Sequence, residues 1–558
     1  MSKNKKFFSG TMALVLVTVT LLSIVLYLVV RTSLFIIADY AWYDKIVGFF
    51  LLMAQIFVLM HGFGYFLNLF RVVGSEEDQG SEARLKTKEL TDYPPVAIIV
   101  SSFKEPLKVV EDTLISFYNL TYPNKNIYFL DDTRYDIKGW KPGEAEAYRE
   151  QIDDLCRRIG VKLFRRRWRG AKAGMINDFL NFLDGEPPAG FEFVSYDEGR
   201  KVKPGQEEYI IVFDADQNPF PDFVESLVAR MEANPAVAFI QTPQYYTNFE
   251  YNRVARASGL QQAVFYEYIC EGKSMQDAMF CCGTNVIFRR EALVDVGGFD
   301  ESSVTEDFAT SLKFHLQGWH SAYLNKISAF GDGPEDLGGY FKQQFRWALG
   351  TVGLFRSIVG RFFKNPGQLP VYKWWEYMLS GTHYFVGWVL LVLVVSPTLF
   401  ILFNVPTYFA RPELYFLFYV PYIILTFTLF LWSLGQRQYR ISEVVNGVLL
   451  QAICFPVYMR ASLLGIMGYR GSFKTTPKGR SLALPFYALW AQVGLALLCL
   501  MAIVWAGMRI YFERELVLAL VANMFWCLYH FIILSTVIYF NHPLERNEID
   551  AQKVYQPD

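Results

Sequence analysis

The chain has 558 residues, of which 53% are hydrophobic, 17% aromatic and 19% charged, with 53 Lys and Arg against 54 Asp and Glu. So apolar a composition excludes an ordinary soluble protein, and that much charge excludes a bare membrane bundle. The formal net charge of −1 lacks the basic surplus of a nucleic-acid binder, so no nucleic acid is expected as a partner.

A membrane span needs about 20 apolar residues. Six stretches qualify, near 11–36, 46–71, 378–403, 413–434, 482–507 and 516–540. The first follows Lys3, Lys5 and Lys6. It is too long for a signal peptide and has no clear small-residue cleavage site, so it reads as an uncleaved span. The lysines place the N-terminus in the cytoplasm. Two spans then return the chain there, which puts 72–377 and the cation-rich 435–480 on the cytoplasmic side. The expectation is a multi-pass protein of the plasma (inner) membrane, in contact with lipid, with its soluble region in the cytoplasm. The division predicted is 1–73 (two spans), 74–347 (soluble domain), 348–377 (surface-lying helices with Trp374 and Trp375), 378–434 (two spans), 435–480, 481–541 (two spans) and a tail at 542–558. Within 435–480, the apolar segment 442–468 is broken by Pro456 and flanked by cations, and reads as an interfacial amphipathic helix; the alternative, a seventh span, would put the 470–480 loop and the C-terminus outside.

In the soluble region, Val96–Val100, Asn126–Leu130 and Tyr209–Phe213 are short apolar runs that predict buried strands, with helical patterns at 107–119, 171–183 and 308–317 between and after them. Strands alternating with helices predict an α/β domain with a mainly parallel sheet. Polar residues cluster just after the strand ends, where open α/β sheets bind ligands. The polar stretches 133–148 and 184–207 read as loop insertions. The seven cysteines include no CxxC pair, which argues against a zinc site or a disulfide framework.

The third run ends in Asp214-Ala215-Asp216. Two carboxylates one residue apart after a buried strand suit a hard divalent cation, Mg²⁺ or Mn²⁺, that brings phosphates and waters to complete its shell. Alone, such a triplet is more often a solvated turn. Thr305-Glu306-Asp307 supplies a carboxylate placed to take a proton from a hydroxyl. It is equally a helix N-cap followed by acids that favour the helix dipole. Gln343, Arg346 and Trp347 fall on one helical face. Arg346 can grip a diphosphate and Trp347 can stack on a sugar ring, although Arg and Trp are also common at a membrane interface. Lys172-Ala173-Gly174 opens a helix in a manner suited to phosphate, after a basic run, Arg165–Arg169, that by itself reads as a solvated face. His61, His383 and His530 fall in spans, where a polar lining or an interhelix hydrogen bond accounts for them.

In this order the motifs resemble those of the processive, membrane-embedded family 2 glycosyltransferases, among them the bacterial cellulose synthase catalytic subunits. The resemblance covers roughly 95–480. It implies a GT-A fold between membrane helices and a UDP-sugar donor. It also implies an inverting, processive transfer of glucose to a growing β-glucan that passes through the membrane. Residue by residue, Ser102 and Glu105 correspond to the first-strand loop near the nucleotide, and Asp131 and Asp132 to the pair that contacts uracil and ribose. Lys172 corresponds to the lysine near the diphosphate, Asp214 and Asp216 to the metal site, and Glu306-Asp307 to the motif whose Asp is the general base. Phe280-Cys281-Cys282-Gly283-Thr284 is similar to the acceptor-cradling loop, with Cys282 and Gly283 at its centre. Gln343, Arg346 and Trp347 match the QxxRW motif, with Trp347 at the acceptor. Phe473, Thr476 and Lys478 match a gating loop that closes over UDP. The absence of a WGTR motif favours a glucan over hyaluronan or chitin. Curdlan and mixed-linkage glucan synthases share the core motifs, and a non-processive transferase acting on a lipid carrier would need neither Trp347 nor the gating loop. A transporter or channel with an inactive soluble domain is a further alternative. About eighteen residues follow the last span, too few for the cyclic di-GMP-binding PilZ domain of the bacterial cellulose enzymes. An extracytoplasmic export partner or a homo-oligomer is compatible with the resemblance.

Overall fold

The computed structural model describes residues 10–76, 85–137, 140–197, 203–248, 252–406, 412–437, 439–469, 482–514 and 516–542. Two long apolar helices open it, α1 (Gly10–Ile37) and α2 (Trp42–Glu76). The α/β region follows with β1 (Val96–Ser102), α3 (Leu107–Tyr118), β2 (Lys125–Asp131), α4 (Glu144–Ile159), β3 (Lys162–Arg165), α5 (Ala171–Leu183), β4 (Glu192–Ser195) and β5 (Tyr209–Asp214). It continues with β6 (Gln217–Pro219), α6 (Phe223–Ala233), β7 (Val237–Gln241), α7 (Arg253–Val264), a π-helical turn at Phe265–Cys270, α8 (Glu271–Met275), β8 (Val286–Arg289), α9 (Arg290–Asp295), α10 (Glu306–Leu316), β9 (His320–Tyr323) and β10 (Ala329–Gly331). The helices α11 (Leu337–Lys364), α12 (Val371–Thr382), α13 (Val386–Phe403), α14 (Pro412–Gln436), α15 (Ile441–Ile453), α16 (Phe455–Ile466), α17 (Trp490–Phe512) and α18 (Val517–Phe540) complete it.

Eight strands form one mixed sheet in the order β4-β3-β2-β1-β5-β8-β7-β9. The pairs β1–β2, β1–β5, β2–β3 and β7–β9 are parallel, so the sheet is mostly parallel as expected. Alternation of side chains divides the central strands between two cores. Ile98, Val100, Ile127, Phe129, Ile211 and Phe213 pack under α3, α4 and α6. Ala97, Ile99, Tyr128, Leu130, Ile210 and Val212 pack under α5, α9 and the end of α10. Strands buried on both faces must be apolar throughout, which is why these runs read as strands in the sequence. The stretches expected to be loop insertions differ in part. Residues 144–148 are the first turn of α4, an amphipathic helix with Ile152, Leu155 and Cys156 buried. Residues 192–195 add β4 antiparallel to the edge of β3.

Among the described residues, six helical stretches are long and apolar enough to cross a membrane: Thr11–Ile37, Trp42–Gly74, Val371–Phe403, Phe416–Gln436, Phe486–Phe512 and Val517–Phe540. The third begins earlier than the expected 378, because α12 runs through a short turn at His383–Phe385 into α13. The segment 442–468 is not one helix but two, α15 and α16, bent by 51° where Pro456 sits in the first turn of α16. Proline lacks the N–H that would continue the α15 ladder. The α/β region is tied to the bundle by buried charge. Glu376 on α12 accepts from Arg71 on α2 at 3.0 Å and from Lys273 on α8 at 2.8 Å.

Candidate active site

Register brings the site together. β1 lies between β2 and β5, with Ser102 opposite Asp131 and Ser101 opposite Asp214. Three adjacent parallel strands therefore end at one level, and their last residues carry the predicted donor-side groups. Asp131 is buried and bonded to Arg165 Nε at 2.7 Å and the Tyr135 hydroxyl at 2.7 Å. Asp132 is buried and faces Arg166 at 3.2 Å, with Arg166 also 3.0 Å from Asp178. Burial pushes the Asp132 carboxyl up to about 7 against the pull of Arg166, with Asp131 and Asp178 adding to the rise. Ser102 is buried next to the Tyr148 hydroxyl, which donates to the Glu105 carbonyl at 2.7 Å.

The basic run 165–169 is a solvated face only in its second half: Arg167, Trp168 and Arg169 are exposed, while Arg165 and Arg166 turn inward. The Arg165 and Arg166 side chains are 6% and 1% exposed, and each is paired with a carboxylate of the strand-end pair. Burying such a charge is tolerable only where it is paired.

Lys172, in the first turn of α5, bonds the Asp214 carboxylate and donates to the Gly283 carbonyl at 2.8 Å. Burial disfavours its charge, but Asp214, Glu306 and Asp307 outweigh that and raise its pKa. The Asp214 backbone N–H donates to Thr284 Oγ1 at 2.9 Å, a contact the sequence did not reveal. Asp216 immediately precedes β6, whose pairing with β10 holds it beside the β5 end. The half-exposed pair Asp214 and Asp216 suits a cation that arrives with a diphosphate. Among the described residues no group of three or more His, Cys, Asp and Glu is placed to hold a metal ion.

Glu306 and Asp307 open α10, so their charge meets the positive end of the helix. Thr305 occupies the N-cap position but makes no capping hydrogen bond through its side chain. Its role there is backbone only, and the Asp307 carboxylate instead accepts the Phe308 N–H at 2.8 Å. Burial and the neighbouring Glu306 push the Asp307 carboxyl up to about 7. Burial also raises Glu306, against Lys172 and Arg346. The loop 280–284 lies directly on Asp307. Ser311 Oγ donates to the Asp307 carbonyl at 2.8 Å and accepts the Cys281 N–H at 2.8 Å. Cys282 is held by its N–H to Gln241 Oε1 at 2.7 Å. Contact with Cys270 and burial raise the Cys282 thiol well above its usual range, so it is a neutral lining group and not a nucleophile.

Gly283 has φ +85°, and a Cβ there would stand 2.9 Å from Asp307 Oδ2. Both facts demand glycine. Gly283→Ala is expected to displace Asp307 and lower turnover by about 10²-fold, with UDP affinity changed far less. Calorimetric titration with UDP beside a turnover assay checks this.

A cavity of about 1570 Å³ runs from Asp132, Trp168, Lys172 and Glu306 to Phe345, Arg346, Arg356 and Arg460 on α11 and α16. Arg346 faces this space and acts on Glu306. Gln343 lies instead against Tyr246, and Trp347, half-buried, is not among the residues lining the cavity. The three lie within about one turn of α11 and share one face as expected, while meeting different neighbours. Phe473, Thr476 and Lys478 lie outside the described residues.

Residues 97–297 match the model of glycosyl transferase family 2, and 209–434 that of glycosyl transferase family group 2. A cellulose synthase catalytic subunit [UDP-forming] of Pseudomonas fluorescens (strain SBW25) is 27% identical over 518 residues, 89% of this chain and 62% of that protein. Cellulose synthase 2 of Novacetimonas hansenii is 26% identical over 81% of this chain and 26% of its own length. The chain thus spans about 62% of the first relative and a quarter of the second. A solved mannosyltransferase of Pyrobaculum calidifontis, in complex with GDP-Man and Mn²⁺, is 15% identical with a TM-score of 0.46, over 74% of this chain and 98% of that one.

Proposed function

We propose that the chain is a family 2 glycosyltransferase that polymerises glucose from UDP-glucose into a β-glucan and moves the product across the membrane in which it sits. The observation that carries this reading is the meeting of Lys172, Asp214, Gly283 and Asp307 at the C-terminal edge of the sheet, beside a cavity that reaches the membrane-side helices α11 and α16.

Asp131 and Asp132 hold the nucleoside, with Arg165 and Arg166 fixing their orientation. Lys172 and Arg346 bind the diphosphate. Asp214 and Asp216 would hold the divalent cation, which when bound offsets charge on the departing diphosphate. Asp307 takes the proton of the acceptor hydroxyl as its oxygen bonds to the anomeric carbon and the bond from that carbon to the UDP oxygen breaks. A single displacement of this kind inverts the anomeric centre. The loop 280–284, anchored by Gln241 and Ser311, supports the acceptor, and Trp347 stacks on its terminal sugar. The product leaves among the helices, where a polar path must face inward, away from lipid. On this reading 72–377 is cytoplasmic, and α15 and α16 lie at the cytoplasmic surface.

The test is to supply the detergent-purified chain separately with radiolabelled UDP-glucose, UDP-GlcNAc and UDP-glucuronate, size the product on gels and digest it with linkage-specific glucanases. A long, glucanase-sensitive polymer from UDP-glucose is expected. Single sugars attached to lipid would defeat the proposal.

A further inference from the structure

Helix α10 presents Asp307 at one end and buries His315 at the other. His315 is 3% exposed and both ring nitrogens are engaged, Nδ1 with the Tyr377 hydroxyl at 2.7 Å and Nε2 with the Ser321 hydroxyl at 2.8 Å. A buried imidazole and a buried phenol are costly unless paired, so this bond fixes geometry as well as filling space. Tyr377 belongs to α12, which forms the first part of a candidate membrane span, and not to the eight-stranded sheet.

The same side chain meets α10 a second time. Its ring stacks on Phe308, the residue after Asp307, with centroids 5.6 Å apart and planes at 21°. Positions 308 and 315 are two helical turns apart on one face. One tyrosine therefore grips α10 near both ends, by its ring at the start and its hydroxyl at the finish. Phe308 in turn lies 4.8 Å from Phe280, the first residue of the loop on which Asp307 rests.

α12 is itself held fast. Besides the Glu376 pairs, Lys373 reaches Asp277 at 2.7 Å, and the Lys273 ammonium also donates to Ser380 Oγ at 3.0 Å. A residue gripping α10 from so anchored a helix sets both its rotation and its position along its axis. A purely packing contact would be equally served by phenylalanine at 377 and an apolar residue at 315.

We propose that Tyr377 is a positioning residue which, through His315 and Phe308, sets α10 so that the Asp307 carboxylate meets the acceptor hydroxyl. This rests on the reading of Asp307 as the base. It means that the alignment of the base is fixed from the membrane side of the molecule and not by the sheet alone.

Tyr377→Phe tests it, since the stacked ring remains and only the hydroxyl is lost. In the full-length chain, kcat is expected to fall about ten- to a hundredfold, with donor KM, UDP affinity and UDP binding stoichiometry unchanged. Amide hydrogen exchange over 306–316 is expected to quicken. His315→Asn, whose amide nitrogen replaces Nδ1, should retain more turnover than His315→Leu. A fall in UDP stoichiometry parallel to kcat would reduce the effect to lost folded protein and overturn the proposal. So would unchanged kcat, or unchanged exchange over 306–316. Should the wild-type chain transfer no sugar at all, the functional reading fails, and the exchange measurement still decides whether Tyr377 fixes α10.

Discussion

Asp307→Asn slows sugar transfer by about 10²–10⁴-fold, the usual contribution of a positioned general base. The change is isosteric, and the amide oxygen still accepts the Phe308 N–H, so donor binding should persist. The wild-type pH dependence follows from the same environment. Burial and Glu306 raise the Asp307 carboxyl to about 7, so below that pH it holds its proton and cannot accept another. kcat/KM should therefore fall as pH drops below about 7 and level off above it. This limb reports the free enzyme, and Asp307→Asn should flatten it. UDP release followed across the pH range checks both, and near-normal transfer by the variant would remove Asp307 from the mechanism.

Asp214→Asn is expected to cost about 3 kcal/mol of transition-state stabilisation, or roughly 10²-fold in turnover, by weakening the hold on the cation that answers the leaving diphosphate. The backbone N–H of residue 214 still donates to Thr284 Oγ1, so the strand end stays in place. Lys172 loses a carboxylate partner, leaving burial less opposed and its pKa lower. Chelation should silence the wild-type protein, and Mg²⁺ or Mn²⁺ should restore it. The variant should recover only at much higher metal concentration. Full wild-type activity in excess chelator would exclude the cation.

Much of this arrangement was legible in the chain, for physical reasons. The runs at 96–100, 126–130 and 209–213 are strands that need apolar side chains on both faces, and that requirement writes an unbroken signal. Their polar last residues then predict where ligands gather, and register does the rest. β3, β6, β9 and β10 were invisible because three or four residues are too few for periodicity to show. Arg165 and Arg166 were misread because a charge run looks the same in water as against buried carboxylates; only the fold decides which. Gln343, Arg346 and Trp347 fell on one face of one helix as expected, but helical spacing does not tell which neighbour each side chain meets, and Arg346 reaches the cavity while Gln343 reaches Tyr246. The grip of Tyr377 on His315 joins residues 62 positions apart, and no local pattern announces it.

The bridge in which Glu376 answers both Arg71 and Lys273 bears on how this protein could be handled. Its carboxylate is 1% exposed, and its partners come from α2 in the N-terminal helices and α8 in the α/β region. Removing the bundle would leave Lys273 buried without its counter-charge, a loss of about 3–5 kcal/mol, comparable to much of the stability of a folded domain. A truncated soluble fragment is therefore expected to be a poor substitute for the intact molecule, because the α/β region and the apolar helices share a buried ion bridge that neither can complete alone.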